Sequence, residues 1–257
     1  MLEDMIAQLD NVSLIYHEPS RETKAVSSLC LAVRRGEFVS IVGPSGCGKT
    51  SVLSLLSGLY PPSEGSVRVL GLTPAEARSR VGFMLQRDEL LEWRTIERNV
   101  LLGLEIKKRL TRESREKAME LLEKYGLGDF KRAYPAALSG GMRQKAALIR
   151  TLAFGPELLL LDEPFSALDY QTRLMLEDGV RTIIKQGGLT AILVTHDISE
   201  AIAMSDRVAV FSSRPARVKR EFEVRLPGSA FERRSAEGFS RLFDEIWKEL
   251  DHDERGA

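Results

Sequence analysis

Apolar residues fall into two patterns along this chain. Four short runs, Phe38 to Val42, Leu158 to Leu161, Ala191 to Val194 and Val208 to Phe211, are apolar almost throughout. A strand with one wet face alternates, whereas a continuously apolar one is covered on both faces. These runs therefore predict a parallel sheet between layers of helices. Other stretches repeat at helical spacing. Thr111 is placed to cap a helix whose Ala118, Leu121, Leu122 and Tyr125 share one face, and Gly126 to end it. Near the C-terminus, Phe239 is followed by Leu242, Phe243, Ile246, Trp247 and Leu250 at offsets of 3, 4, 7, 8 and 11. That is an amphipathic helix, expected to pack onto its own domain rather than onto a partner. Between residues 88 and 154 only helical patterns occur, which reads as a helical insertion into an α/β domain.

Composition adds limits rather than a function. The chain has 257 residues, a prior of one or two domains. Its 37 Lys and Arg balance 37 Asp and Glu, so it lacks the basic excess of a nucleic-acid binder, and no nucleic-acid partner is expected. Apolar residues at 43% supply a sizeable core. No apolar run approaches the ~20 residues of a spanning helix. The opening MLEDMIAQLD carries acids where a signal peptide needs positive charge. Two cysteines, Cys30 and Cys47, make no disulfide framework.

The first chemical signal is IVGPSGCGKTS, residues 41–51, which follows a predicted strand and opens onto a helical run. Gly43, Gly48, Lys49 and Thr50 stand in the spacing G-x-x-x-x-G-K-[ST]. Glycines let the backbone curl with its N–H groups turned inward around phosphate oxygens. The following helix aims its positive end at the same anion. In this loop, formed by Gly43, Pro44, Ser45, Gly46, Cys47, Gly48, Lys49, Thr50 and Ser51, Lys49 is expected to neutralise phosphate charge and Thr50 to ligate Mg²⁺. Cys47 reads as a small loop residue, with the alternative that its neighbours lower its pKa and make it sensitive to alkylation. The second signal is Asp162–Glu163, two adjacent carboxylates ending an apolar strand, where burial without a cationic or protonic task is costly. Beside a P-loop, Asp162 is expected to hold Mg²⁺ through water and Glu163 to face the attacking water.

With these motifs the chain resembles the ATP-binding subunits of ABC transporters over nearly its whole length. The resemblance rests on GPSGCGKT (Gly43 to Thr50), LSGGM (Leu138 to Met142), LLLLDE (Leu158 to Glu163), SALD (Ser166 to Asp169) and His196 in VTHD, in that order. It implies a P-loop NTPase (RecA-like) α/β core with antiparallel β and helical subdomains. The expected division is 1–87 and 155–220 for the core, 88–154 for the helical subdomain bearing LSGGM, and 221–257 for a short C-terminal extension. The resemblance also assigns further residues. Gln86 corresponds to the glutamine that reaches Mg²⁺ and the reacting water, Tyr16 to the aromatic stacked on adenine, and His196 to a γ-phosphate ligand that helps Glu163 orient water. In this family two subunits pack head-to-tail, and each ATP lies between the P-loop of one and Ser139, Gly140 and Gly141 of the other. Met142 stands where many members carry glutamine, a change expected to be tolerated because the preceding serine and glycines make the phosphate contacts.

The segment MLQRDELLEWRTIERNV is similar to importer ATPases for nitrate, sulfonate, taurine and thiamine precursors, except that Glu92 replaces a usual proline. The local backbone at the permease contact is therefore expected to differ. After Trp247, no large regulatory domain of the kind appended to sugar-importer ATPases is expected. The resulting expectation is an importer ATPase, a homodimer using ATP and Mg²⁺. It would sit peripherally on the cytoplasmic face of the membrane, bound to a separate permease and served indirectly by an extracytoplasmic binding protein. An exporter or lipid-handling ATPase and a non-transport ABC switch are the alternatives. A P-loop kinase leaves LSGGM, SALD and His196 unexplained. His17 and His252 match no motif and read as surface residues.

Overall fold

The computed structural model describes residues 4–18 and 21–254. Strands β1 (Met5–Glu18) and β2 (Arg21–Arg34) form a long antiparallel pair, and β3 (Phe38–Val42) follows. Helix α1 (Lys49–Leu56), strand β4 (Glu64–Val69), the one-turn α2 (Pro74–Ala77) and strand β5 (Val81–Met84) complete the first third. Three helices come next: α3 (Ile96–Ile106), α4 (Arg112–Lys124) and α5 (Gly140–Ala153). The chain then runs through β6 (Leu158–Asp162), α6 (Tyr170–Gln186), β7 (Thr190–Val194), α7 (Ile198–Met204), β8 (Arg207–Phe211) and β9 (Val218–Glu223). It ends with the one-turn α8 (Ala230–Arg233) and α9 (Phe239–Glu254).

Six strands make the main sheet in the order β5-β6-β7-β3-β8-β9, parallel except for the β8–β9 pair. All five residues are buried in each of β3, β6 and β7, the double covering that their unbroken apolar runs require. Parallel alignment brings the C-terminal ends of β3, β6 and β7 to one edge, where an open α/β sheet presents its ligand crevice. A second sheet, ordered β2-β1-β4 and antiparallel, packs through Val26, Leu29 and Leu31 into the same core as α1. In β2 the residues from Leu29 to Arg34 alternate buried and exposed, as one covered face dictates.

Thr111 caps α4 with its hydroxyl on the Ser114 N–H, and Gly126 turns the chain away at φ 72°. Helix α9 buries Phe239 and Ile246 against Val42, Val208 and Phe222, with Leu242, Phe243 and Leu250 alongside, so its apolar face belongs to its own chain. Trp247 remains 56% exposed and stacks on Phe243 at 6.4 Å. His17 is exposed and lies 3.0 Å from Glu22, whereas the side chain of His252 lies outside the described residues.

Between α6 and α7 the core holds an acidic cluster. Glu177 and Glu200 are buried, Arg234 lies 2.7 Å from Glu177, and Arg173 lies 3.6 Å from Asp197. Burial, reinforced by the Glu177 and Asp197 carboxylates, pushes Glu200 up to about 8. Burial pushes Glu177 up to about 7 against the pull of Arg234. The folded chain thus keeps protons that an unfolded chain loses near the ordinary value of 4.5, and stability falls as pH rises from there to about 8. Glu200→Gln removes the titration. Its melting temperature is expected to match wild type near pH 5 and to exceed it by about 2–4 °C at pH 8.5, read by calorimetry across pH. An equal offset at both pH values would contradict the assignment.

Candidate functional site

The loop between β3 and α1 closes at the C-terminal edge of the main sheet. Gly46 and Gly48 take φ of 70° and 122°, which other residues resist. A side chain at Gly48 would also meet the Ala25 carbonyl at 2.5 Å, so this turn admits only glycine. Lys49 is buried, and its Nζ donates to the Gly43 and Pro44 carbonyls at 2.7 and 2.9 Å. The lysine thus folds over its own loop, with its charge held at the phosphate cavity. Burial pushes the Cys47 thiol up, outweighing the downward pull of Lys49 and the weaker one of Arg214. Of the two readings of Cys47, burial favours the small packed loop residue over the activated thiol, and Cys30 is a free, exposed cysteine.

Asp162 ends β6 almost fully buried, hydrogen-bonded to Thr50. Burial raises its carboxyl above the ordinary value, Thr50 opposes the shift and Glu163 adds to it. One residue later the chain adopts φ 46° at Glu163, a left-handed conformation that ends the strand. Gln86 Nε2 donates to Glu163 Oε2 at 3.1 Å, and His196 Nδ1 lies 3.4 Å from the same oxygen. The site therefore gathers Glu163, Gln86 and His196 at one point, from the ends of β6, β5 and β7. They line a cavity of about 620 Å³ together with Ser45, Gly46, Gly48, Lys49, Thr50 and Ser51. Tyr16 sits at its margin, half-buried, with its hydroxyl on Ser51 Oγ at 3.1 Å and its ring edge-on to Tyr60 at 5.3 Å.

Ser139, Gly140 and Gly141 do not line this cavity. Ser139 caps α5 by accepting from the Met142 N–H at 3.3 Å, and Ser139 and Gly140 are exposed. Gly140 instead borders a neighbouring cavity of about 510 Å³, shared with Gln86, Arg143 and Gln144. Helix α5 is tied to the site from this end. Gln144 donates to the Glu163 carbonyl at 3.3 Å and accepts from the Ala167 N–H at 3.1 Å.

Two contributors escaped the reading of the sequence. Arg214, from the loop after β8, lines the phosphate cavity and donates from Nε to the Gly46 carbonyl at 2.9 Å. Arg143, directly after LSGGM, grips Asp88 with two hydrogen bonds at 3.0 and 3.1 Å and Glu92 with one at 2.7 Å. Glu92 thus exchanges the rigidity of a proline for an ionic contact with α5. Burial works against the Asp88 carboxylate, yet Arg143 and the Leu90 N–H hold it below its ordinary value.

A glycine-rich loop at a strand end, facing an Asp–Glu pair at the next strand but one, defines a P-loop NTPase. The ABC transporter family profile matches residues 26–166. An uncharacterized ABC transporter ATP-binding protein of Bacillus subtilis, YtlC, is 49% identical over 94% of each chain. The aliphatic sulfonates import ATP-binding protein SsuB 1 of Rhodococcus jostii is 43% identical over 75% of each chain. Among solved structures, the dimeric post-hydrolysis state of the ATP-binding cassette MJ0796, bound to ADP and Pi, superposes with a TM-score of 0.78 at 32% identity. It covers 85% of this chain and 99% of that one. The chain belongs to the ABC transporter ATP-binding family, and it is an ATPase.

The ionic contacts of Arg143 are unequal. Asp88 is 21% exposed and gripped twice, whereas Glu92 is 53% exposed and gripped once. Urea unfolding is expected to show a loss of about 2 kcal/mol for Arg143→Ala and under ~1 kcal/mol for Glu92→Ala. Equal losses would place the strength of this tie elsewhere.

Proposed function

We propose that this chain is the ATP-hydrolysing subunit of an importer for a small nutrient of the nitrate, sulfonate, taurine or thiamine-precursor class. The observation that carries the catalytic part is the convergence of Gln86 and His196 on one oxygen of Glu163, across the cavity from Lys49. The sulfonate-import names of relatives such as that of Rhodococcus jostii favour the importer part. No helix among the described residues is long and apolar enough to cross a membrane. In this reading a separate permease supplies the span, an extracytoplasmic binding protein delivers the cargo, and the chain sits peripherally on the cytoplasmic face. The division into a core, a helical subdomain over 88–154 and a C-terminal extension belongs to the same reading.

The residues divide the work. Backbone N–H groups of the Gly43–Ser51 loop and the start of α1 bind phosphate oxygens, and Lys49 exchanges loop carbonyls for β/γ-phosphate. Tyr16 takes the adenine face. Asp162 fits a divalent cation, because its buried carboxylate beside Glu163 leaves negative charge that only Lys49 offsets. Asp162, Thr50 and the amide oxygen of Gln86 are the oxygen donors that would hold Mg²⁺. When bound, Mg²⁺ would neutralise charge developing on the phosphoryl oxygens. Glu163 accepts a hydrogen bond from the attacking water, and His196 orients that water and meets the γ-phosphate. Ser139, Gly140 and Gly141 present N–H groups at the start of α5, outward from their own cavity, to the nucleotide of a second copy packed head-to-tail.

Glu163→Gln keeps the size and hydrogen bonding of the side chain but removes the proton acceptor. Steady-state ATPase is expected to fall at least ~100-fold while ATP binding persists and a dimer accumulates on size-exclusion chromatography. Turnover at the wild-type rate would remove Glu163 from the mechanism. Ser139→Arg is expected to abolish ATP-dependent dimerisation while sparing nucleotide binding by the monomer; unchanged dimerisation would refute the head-to-tail arrangement. Purification from membranes tests the transport reading. A polytopic membrane protein should accompany the chain, whereas recovery with a soluble scaffold instead would favour a non-transport switch.

A further inference from the structure

The loop joining β8 to β9 is built as a rigid bracket behind the phosphate loop. Ser212 N donates to the Arg217 carbonyl at 2.9 Å, and Arg217 N returns a hydrogen bond to Ser212 Oγ at 3.1 Å. Ala216 is fully buried and bonds β2 in both directions: its N–H reaches the Ala25 carbonyl at 2.9 Å, and its carbonyl takes the Ser27 N–H at 3.1 Å. The phosphate loop leans on this bracket. A Cβ at Gly48 would lie 3.1 Å from Ala216 Cβ, and one at Gly43 would lie 3.0 Å from Phe211 Cβ.

Arg214 stands at the tip of this bracket. Its Nε donates to the Gly46 carbonyl at 2.9 Å, so a residue 168 positions away in sequence holds the left-handed turn at Gly46. Arg207, at the base of the same hairpin, is held by the carboxylates of Glu37 and Glu221. Arg214 instead spends Nε on a neutral carbonyl, which leaves its charge uncompensated by that contact. The residue is exposed and lines the same cavity as Lys49, Gln86, Glu163 and His196. A guanidinium offers several donors in a planar fork suited to phosphate oxygens and stays charged at every working pH.

We propose that Arg214 is a nucleotide-binding residue, which braces the Ser45–Gly46 turn and sets a second permanent cation beside Lys49 at the phosphate cavity. It deepens the reading of this cavity as the ATP site and rests on it. Its chemical preference is for the polyphosphate. Arg214 therefore favours ATP and ADP over adenosine, and its contribution weakens as salt screens the cavity mouth.

The test is equilibrium binding of a fluorescent ATP analogue to the full chain with Mg²⁺, at low and high salt, with adenosine as competitor. Arg214→Ala is expected to weaken ATP binding roughly tenfold at low salt, the scale of a charge-assisted hydrogen bond, and less at high salt. Adenosine affinity should stay at its wild-type value, and the melting temperature of the nucleotide-free chain should fall far less than the ATP affinity does, by the loss of the single exposed contact to Gly46. Arg214→Lys should recover part of the loss, because it restores charge without the fork. ATP affinity within twofold of wild type, or an equal loss for adenosine, would overturn the proposal. So would a loss matched by a drop in the nucleotide-free melting temperature. Lys49→Ala separates this inference from the reading beneath it. If Lys49→Ala binds ATP like wild type, the cavity is not the ATP site. If it loses ATP while Arg214→Ala does not, only the role of Arg214 fails.

Discussion

Successive side chains of a strand leave on opposite faces, and at Glu163 this chain adds a left-handed turn that ends the strand and fixes where the second carboxylate stands. A non-glycine residue at φ 46° is held against its own preference, which requires surroundings that over-determine it. They do. The Glu163 N–H is paired with the Val194 carbonyl at 2.9 Å, extending the β6–β7 ladder one step past the strand. The Glu163 carbonyl collects donors from Ser166 N, Ser166 Oγ and Gln144 Nε2 at 3.3, 3.1 and 3.3 Å. With both backbone groups committed, the Glu163 carboxylate lies beside Gln86 and His196. Asp162 is left facing Thr50, where a cation is chemically apt, and Glu163 faces the open cavity, where a water molecule can reach it.

The same turn explains why α5 carries more than its first three residues. Gln144 touches the Glu163 carbonyl and the Ala167 N–H, so the helix that begins with the LSGGM motif ends its first turn against the strand end that holds Glu163. Arg143 and Arg150 extend the connection sideways. Arg143 grips Asp88 and Glu92, and Arg150 donates to the Asp88 and Glu89 carbonyls at 2.7 Å each. In addition to the packing of buried Leu90 into the core that α5 shares, the segment following Gln86 is thereby fastened to α5 by ionic and backbone contacts. Contacts of this kind exchange partners without exposing a core, and they suit a joint that shifts while both sides stay folded.

Legibility in the sequence followed the period of each signal. β3, β6, β7 and β8 were readable because burial on both faces leaves an unbroken apolar run, and the phosphate loop because its chemistry fixes residue types at fixed spacing. β1, β2 and β4 carry one covered face, and β1 is interrupted by register shifts on both sides, so no continuous run marks them. α4 was legible from its cap and stripe. Glu177 and Glu200 lie on helices where acids ordinarily read as a solvated face, and only tertiary packing makes them buried. Arg214 was invisible for a different reason. Its partner is a backbone carbonyl far off in sequence, and no local pattern encodes a contact of that kind.

The layout of a single chain also limits what it can do alone. The cavity lined by Lys49, Glu163 and His196 does not include Ser139, Gly140 or Gly141. Ser139 and Gly140 are exposed and Gly141 is half-buried, with the serine hydroxyl already spent on its own helix. Helix N-terminal N–H groups that find no acceptor within their own chain form an anion site awaiting one. Gln144 ties the first turn of α5 to the Glu163 carbonyl, as one of that carbonyl's three donors. In the arrangement proposed above, a second copy of the chain presents its nucleotide to these groups. The separation of these three residues from their own chain's cavity argues against a self-sufficient monomer.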